Sequence, residues 1–329
     1  MKYLLSIIIS ALTLSTVTHA NQIEVSNVQQ LAHYPSASAS VFYNSTLVIA
    51  GDDAPNIVSI NKQMVITGTI DIYHGELDAQ ERIAGELKHD LEAAEQFSVM
   101  GSPYLVFLGS GTYTDTREKA LVYSMLTQHV SWVSIKPFYR SLRKVANLSE
   151  SEFINIEGLA SNQSTVFLLS RGSHGPNLIF SIPKRAFTDY IWGTSNVIPD
   201  ASVQRVTLPA ISDVSATLSG ATWHEASQQL IITASVVDSD DTILGSYITS
   251  IDANKLISEK PIDLSRHACL ISHHEQKLAS KVESVAITQD ADADAGYTGT
   301  LTADNDDGTS QIMTFEFNLI DQCLQQHTE

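Results

Sequence analysis

Basic residues are scarce in this chain: 19 lysines and arginines face 37 aspartates and glutamates, a formal net charge of −18. That balance opposes binding to nucleic acid or to an anionic lipid surface, because both need phosphates neutralised by Lys and Arg. Most of the acids read as a solvated surface that favours solubility and cations. Cysteine is scarcer still, with Cys269 and Cys323 alone. No CxxC and no Cys/His metal spacing occurs, which excludes a structural zinc site and a thioredoxin-like redox site. In an oxidising compartment the two thiols can form one disulfide, tying the C-terminal tail to the chain before the last repeat. No run beyond the first twenty residues approaches the roughly 18 apolar residues of a membrane span. There is no GxSxG elbow either, which weakens a serine-triad hydrolase.

The first twenty residues form a separate unit. Lys2 gives a positive start, LLSIIISALTL an apolar core, and Thr18-His19-Ala20 small residues before a cut at Asn21. This is the pattern of a secretory signal peptide. With no cysteine at the cut, a lipid anchor is not expected. Residues 21–329 are expected to be one soluble, monomeric domain of the bacterial periplasm or exterior.

What the chain has in plenty is repetition. A small or acidic phrase followed by an apolar run recurs as DLEAAEQF/LVFLGSGT, NIEGLAS/VFLLSRGS, LSGATWH/LIITASVV and KVESVAIT/GTLTADND, with a looser copy in SASASVFYN/LVIAGDD. Short strand signals at four per unit are the pattern of β-propeller blades. The fourth unit takes SGATWH, QLIITASV, GSYITSI and ISEKPIDL as its strands. The fifth unit lacks a fourth strand, and the N-terminal IEVSNVQQLAHY is free to complete it, leaving no open edge. The reading is an all-β, five-bladed propeller closed by the N-terminal strand, or six-bladed if the stretch from Leu77 to His89 hides a strand. LDAQERIAGELKHDLEAAEQ is helical by propensity, but Gly85 interrupts it. A short helix or loop before Lys88, then a strand, fits the repeat better.

In a propeller the innermost strand of each blade starts at one face, and the loop after the second strand returns there. Two sets of residues should then meet at the channel mouth. The first is Glu92, Glu157, Ser219 and Glu283, with Ser36, Ser38 or Ser40 in the first blade. The second is Asp52, Asp53, Ser110, Thr112, Arg171, His174, Ser235, Asp238, Asp304 and Asp306. Glutamate is depleted in strands, and gathered carboxylates raise each other's proton affinity unless a cation neutralises them. A hard cation such as Ca2+, taking six to eight oxygens, would do so. Alternatively, each Glu binds backbone in the next blade and glues the ring.

The phrases DLEA, GSGT with Arg117 shortly after, NIEG, SRGSHGPN and KVES resemble an uncharacterised family of bacterial secreted β-propellers. That family is similar to the phytase-like, esterase-like and SdiA-regulated propellers, in which an EG or SG opens the inner strands. The resemblance implies Ca2+ at the mouth, and in some relatives hydrolysis of phosphate or ester bonds. It implies metal ligation by Glu92, Glu157 and Glu283, with Asp213 substituting near Ser219 and with Asp304 and Asp306 in the last blade. Arg117, Arg171 and Asn177 are the ligand-binding candidates, and His174 is the candidate general base. The alternating acids of DADADAG, residues 290–296, lack the Gly and Glu of an EF-hand loop. GSGT opens no convincing helix, so it does not read as a phosphate cradle. Two functions follow: a propeller binding a small ligand or envelope partner at its mouth, with or without Ca2+, or a Ca2+-dependent hydrolase of phosphoesters, esters or lactones.

Overall fold

A computed structural model describes residues 22–31, 34–112, 115–257, 260–289, 297–305, 308–316, 318 and 323. The N-terminal segment supplies β1 (Gln22–Glu24) and β2 (Ser26–Leu31). The first blade is β3 (Ala37–Tyr43), β4 (Thr46–Gly51), β5 (Asn56–Ile60) and β6 (Ile66–Asp71). The second is β7 (Leu91–Val99), β8 (Ser102–Gly109), β9 (Lys119–Ser124) and β10 (Val130–Ser134). Helix α1 (Lys136–Val145) leads to the third blade, β11 (Ile156–Ser161), β12 (Thr165–Ser170) and β13 (Leu178–Pro183), which β14 (Ser202–Thr207) completes after helix α2 (Lys184–Ile191). A small hairpin, β15 (Ala210–Ile211) and β16 (Val214–Ser215), precedes the fourth blade. That blade is built from β17 (Thr217–His224), β18 (Gln229–Val237) and β19 (Ile243–Asp252), and later β21 (Cys269–His273) with β22 (Gln276–Lys277); β20 (Ile262–Asp263) lies between. The fifth blade is β23 (Lys281–Gln289), β24 (Tyr297–Asp304) and β25 (Ser310–Glu316).

The inner strands pack in the cyclic order β3, β7, β11, β17, β23 and back to β3, so the five blades close a ring. As the sequence predicts, the N-terminal strand β2 pairs antiparallel with β25 and completes the fifth blade. It does more than that: β1 runs parallel to β21 at the edge of the fourth blade. One short segment therefore straddles the seam between the last two blades. The stretch from Leu77 to His89 holds turns and no strand, which removes the six-bladed alternative.

The second strands are nearly continuous apolar runs, such as LIITASV in β18, because they are buried on both faces between neighbouring blades. The outermost β6 instead alternates half-buried and exposed positions, the signature of one solvated face. Five separate apolar clusters fill the five spaces between blades. Of the largest buried side chains, Phe97, Phe138, Tyr139, Phe180 and Phe187 lie between blades two and three, where α1 and α2 cover the ring, and Phe107 lies between blades one and two. Pro137 near the start of α1 accounts for the strand signal of VSWVSIKPF ending at Ser134: proline presets the first turn and cannot continue a ladder.

One strand assignment is corrected. ISEKPIDL does not form the fourth strand of the fourth blade; Ile262–Asp263 pairs with β14 of the third blade instead. The place is taken by Cys269–His273, flanked by β19 on one side and β1 on the other. A strand paired on both sides needs every N–H and apolar faces, which CLIS provides and the charged, proline-bearing ISEKPIDL does not. Cys269 in β21 is bonded to Cys323, with Cα atoms 6.2 Å apart, so the disulfide anticipated from the sequence forms. No helix among the described residues is long and apolar enough to cross a membrane.

Candidate functional site at the channel mouth

Every inner strand carries a β-bulge at the same place. Register shifts fall between Ala37 and Ala39, Leu91 and Ala93, Ile156 and Gly158, Leu218 and Ala221, and Val282 and Ser284. The residues set into the bulges are Ser38, Glu92, Glu157, Ser219 with Gly220, and Glu283. These are the five equivalent positions of the repeat, with Ser38 selected from the three serines of the first blade. A bulge leaves one residue out of the ladder and re-aims its side chain. Here it frees one side chain per blade at one end of the channel.

The bulges need close approach of the blades. A Cβ on Gly220 would stand 2.5 Å from Ser284 Cα and 2.8 Å from Val285 N, both backbone atoms of the fifth blade. Thr233 accepts the Gly220 N–H at 2.9 Å and pins the bulge from the neighbouring strand.

Arg171, just past the end of β12, organises one half of the mouth. Its Nη2 lies 3.0 Å from Glu157 Oε2 and ion-pairs with Glu283, while Nε donates to the Leu218 carbonyl at 3.1 Å. Lys281 adds a second cation 3.0 Å from Glu283 Oε1. Asn155 donates to Glu157 Oε1 at 2.5 Å. Burial alone would raise both glutamates. On Glu283 the two cations outweigh burial and hold its pKa below the usual range. On Glu157 burial prevails over Arg171, helped by the charge of Glu283, and the pKa rises to about 8.

Lys88 organises the other half. Its Nζ lies 2.5 Å from Asp52 and 2.7 Å from Asp90. Asp90 is also 3.2 Å from Arg117 and accepts the Ser110 hydroxyl. Burial pushes Asp90 upward, but Lys88, Ser110 and Arg117 together take its pKa below normal. Asp52, where burial exceeds the help from Lys88, rises to about 6. Arg117 is held by Thr112 Oγ1 at 2.8 Å and the Gly85 carbonyl at 3.0 Å.

Glu92 stands between the halves and makes no hydrogen bond or ion pair among the described residues. Burial first, then the charges of Glu157, Asp90, Asp52 and Glu283, push its pKa well above the carboxylate range. The mouth thus gathers five carboxylates (Asp52, Asp90, Glu92, Glu157, Glu283) around four cations (Lys88, Arg117, Arg171, Lys281).

The other residues singled out from the sequence fall elsewhere. Asp213 is exposed in the β15–β16 turn with φ +65°, away from the bulged glutamates. Asp304 is buried opposite Lys281 in the fifth-blade ladder. Asp306 and the DADADAG stretch lie outside the described residues. Asn177 is spent on backbone: its Oδ1 accepts the N–H groups of Gly172 and Leu218, both at 2.9 Å, and its Nδ2 donates to Ala216. It clamps blade three to blade four. His174 is exposed, with its ring edge against Phe153 at 5.8 Å between centroids.

Beside the mouth, above blades three to five, opens a cavity of about 800 Å³. Arg171, Lys281, His174, Thr217, Ser235 and Asp238 are among its lining residues. Of the guanidinium nitrogens of Arg171, Nη1 alone has no hydrogen-bond partner among the described residues. Lys88 and Lys281 went unrecognised in the sequence, yet a signal existed. Each stands two residues before a mouth acid, in KHD and KVE.

A cation of the calcium type needs several uncommitted oxygens. Glu157 and Glu283 are already engaged by Arg171 and Lys281. Asp52, Asp90 and Glu92 each offer an oxygen within 4.8 Å of the others, but the Lys88 ammonium sits on two of them. The set fits a cation only in exchange for Lys88.

The model of the Family of unknown function (DUF6929) matches residues 33–317. No curated protein matches the sequence. Similar solved structures include the alpha-L-arabinanase of Cellvibrio cellulosa complexed with arabinohexaose, at 11% identity and TM-score 0.49, covering 92% of this chain and 98% of that one. Another is the glutaminyl cyclase of Myxococcus xanthus, at 9% identity and TM-score 0.45, covering 90% and 97%. Both are too distant for their activities to transfer to this chain.

Proposed function

The chain belongs to this family of unknown function, and we propose that it is an exported binding propeller whose ligand is a small polar molecule bearing a carboxylate or phosphate. The observation that carries this reading is Arg171. Its fork is held rigid by Glu157, Glu283 and the Leu218 carbonyl, it lines the cavity, and Nη1 has no hydrogen-bond partner among the described residues. A guanidinium oriented by its other nitrogens loses little freedom on gripping an anion. Lys281 lies on the same wall, and the Thr217 hydroxyl suits the polar remainder of a ligand. Export is supported by the Cys269–Cys323 disulfide, which persists in oxidising compartments such as the periplasm, and by the signal-like first twenty residues. Melting curves against a panel of small carboxylates and phosphates test the proposal. A member of the panel should raise the midpoint by several degrees, and the shift should vanish in Lys281→Met. A flat panel refutes it.

A second reading concerns Glu92. A Ca2+ ion taken by Asp52, Asp90 and Glu92 in place of Lys88, with Glu92 giving up its proton to become a ligand, would supply charge to polarise a phosphoester, ester or lactone. Under this reading Lys88→Met strengthens a calcium-induced rise in melting temperature and Glu92→Gln abolishes it. An absence of any calcium effect in both wild type and Lys88→Met removes it.

A further inference from the structure

At the outer edge of the fourth blade, far from the bulged glutamates in the sheet order, two histidines and a glutamate converge. We propose that Glu24, His273 and His274 form a site for a divalent transition metal, Zn2+ in the first instance, which clasps the N-terminal strand to the fourth blade.

The three side chains come from two pieces of chain that only the closed ring brings together. Glu24 ends β1, and β1 lies parallel to β21 with Glu24 opposite Ser272. His273 ends β21, and His274 with Glu275 forms the two-residue turn into β22. Each of Glu24, His273 and His274 offers one ligand atom, and the three atoms lie within 4.8 Å of one another. The two imidazoles are 3.9 Å apart between centroids.

The turn is an unusual choice of sequence. His274 and Glu275 both have positive φ, +52° and +59°, in a hairpin position that ordinarily takes Asn-Gly or Asp-Gly. This conformation holds the His274 ring beside that of His273.

The outer contacts are those that prepare metal ligands. His273 Nδ1 is 3.0 Å from the Val25 carbonyl. A carbonyl only accepts, so Nδ1 carries the proton and Nε2 presents its lone pair. A histidine whose second nitrogen is fixed in this way is the usual arrangement around a bound metal. The Glu24 carboxylate is oriented as well, accepting the Ser272 hydroxyl at 2.9 Å and the His274 N–H at 2.5 Å. Both oxygens keep a lone pair for an ion.

Two imidazoles and one carboxylate suit Zn2+, Cu2+ or Ni2+ and disfavour Ca2+ and Mg2+, which take all-oxygen shells. With Glu24 and His274 exposed, a fourth position stays open to water. Because Glu24 belongs to the closing strand, a metal here binds the folded ring and not the open chain. It therefore stabilises the folded state in proportion to its saturation.

The experiment is calorimetric titration of the untagged protein, stripped with chelator, against Zn2+ and separately Ca2+, with melting curves on the same samples. The site predicts one Zn2+ per chain, a rise in melting temperature with Zn2+, and at least tenfold weaker Zn2+ binding in Glu24→Gln and His274→Ala. His274 is exposed, so His274→Ala should melt within a degree or two of wild type without metal, which separates lost ligation from lost folding. No Zn2+ binding, or Zn2+ binding that survives both substitutions, overturns the assignment. So does a Ca2+ response at this site equal to that of Zn2+.

Discussion

Arg171 of the third blade pairs with Glu283 of the fifth, passing the inner strand of the fourth and bonding its Leu218 carbonyl on the way. One side chain thus ties three blades. Removing its charge leaves Glu157 and Glu283 buried, with Lys281 the remaining cation paired to Glu283 among the described residues. Arg171→Met should cost about 3–5 kcal/mol in urea unfolding, the range for breaking a buried pair from one side. Adding Glu283→Gln should recover part of the loss, because the uncompensated charge is removed. A single variant as stable as wild type would show that the pair contributes nothing.

Stability should fall as pH rises from about 5 to 8. Glu157 at about 8 and Asp52 at about 6 are raised above their unfolded values. Between the unfolded and folded pKa the native state holds protons that the unfolded chain has released. Their stabilising contribution is complete below the unfolded pKa and is lost as pH climbs through the folded one. Glu283 and Asp90 are depressed and act oppositely, losing their contribution in acid below about pH 4. The optimum is therefore mildly acidic. Each proton contributes a slope of up to about 1.4 kcal/mol per pH unit, and Glu157→Gln should flatten it. Urea midpoints that climb from pH 5 to 8 contradict this.

Glu92 and Glu283 occupy the same position of the repeat and should respond in opposite ways to the same substitution. Glu92 is held neutral by burial and its acidic neighbours, so Glu92→Gln replaces one neutral group by another and should leave stability at pH 7 unchanged or improved. Glu283 is ionised between Arg171 and Lys281, so Glu283→Gln should lose about 2–4 kcal/mol. Equal effects in chemical denaturation would mean the two sites are electrostatically alike.

The ring was legible in the sequence because the bulge recurs, with Glu set into three of its copies and Ser into the other two. Glu157 and Glu283 stand out from the flanking apolar residues, and their convergence followed from propeller geometry. What could not be read was the source of the neutralising charge. A cation or backbone contacts between blades were the two expectations; Lys281 and Lys88 do stand two residues before Glu283 and Asp90, but Arg171 reaches Glu283 across 112 residues and Lys88 reaches Asp52 across 36. ISEKPIDL misled for a different reason. Its apolar ends resemble a strand, but whether a strand is paired on one side or both is decided by β1, which lies more than 230 residues away.

Gly220 sets how closely blades four and five approach. Gly220→Ala places a methyl against the backbone at Ser284 and Val285, which cannot turn aside as a side chain would. The expected loss is about 1–3 kcal/mol. Gly85, with nothing within 4 Å of an added Cβ, is the control, and Gly85→Ala should stay within about 0.5 kcal/mol of wild type. If both variants unfold at the same urea concentration, the close approach is not constraining.

The measurement that goes most directly to the account is an equilibrium titration of wild type and Arg171→Lys with the anion giving the largest thermal shift. Lysine keeps the charge that Glu157 and Glu283 require but loses the oriented second prong. Arg171→Lys should lose at least tenfold in affinity, with the melting temperature lowered by a few degrees at most. Equal affinity in the two proteins would mean that Arg171 is a strut between blades and that the ligand, if one binds, is held elsewhere.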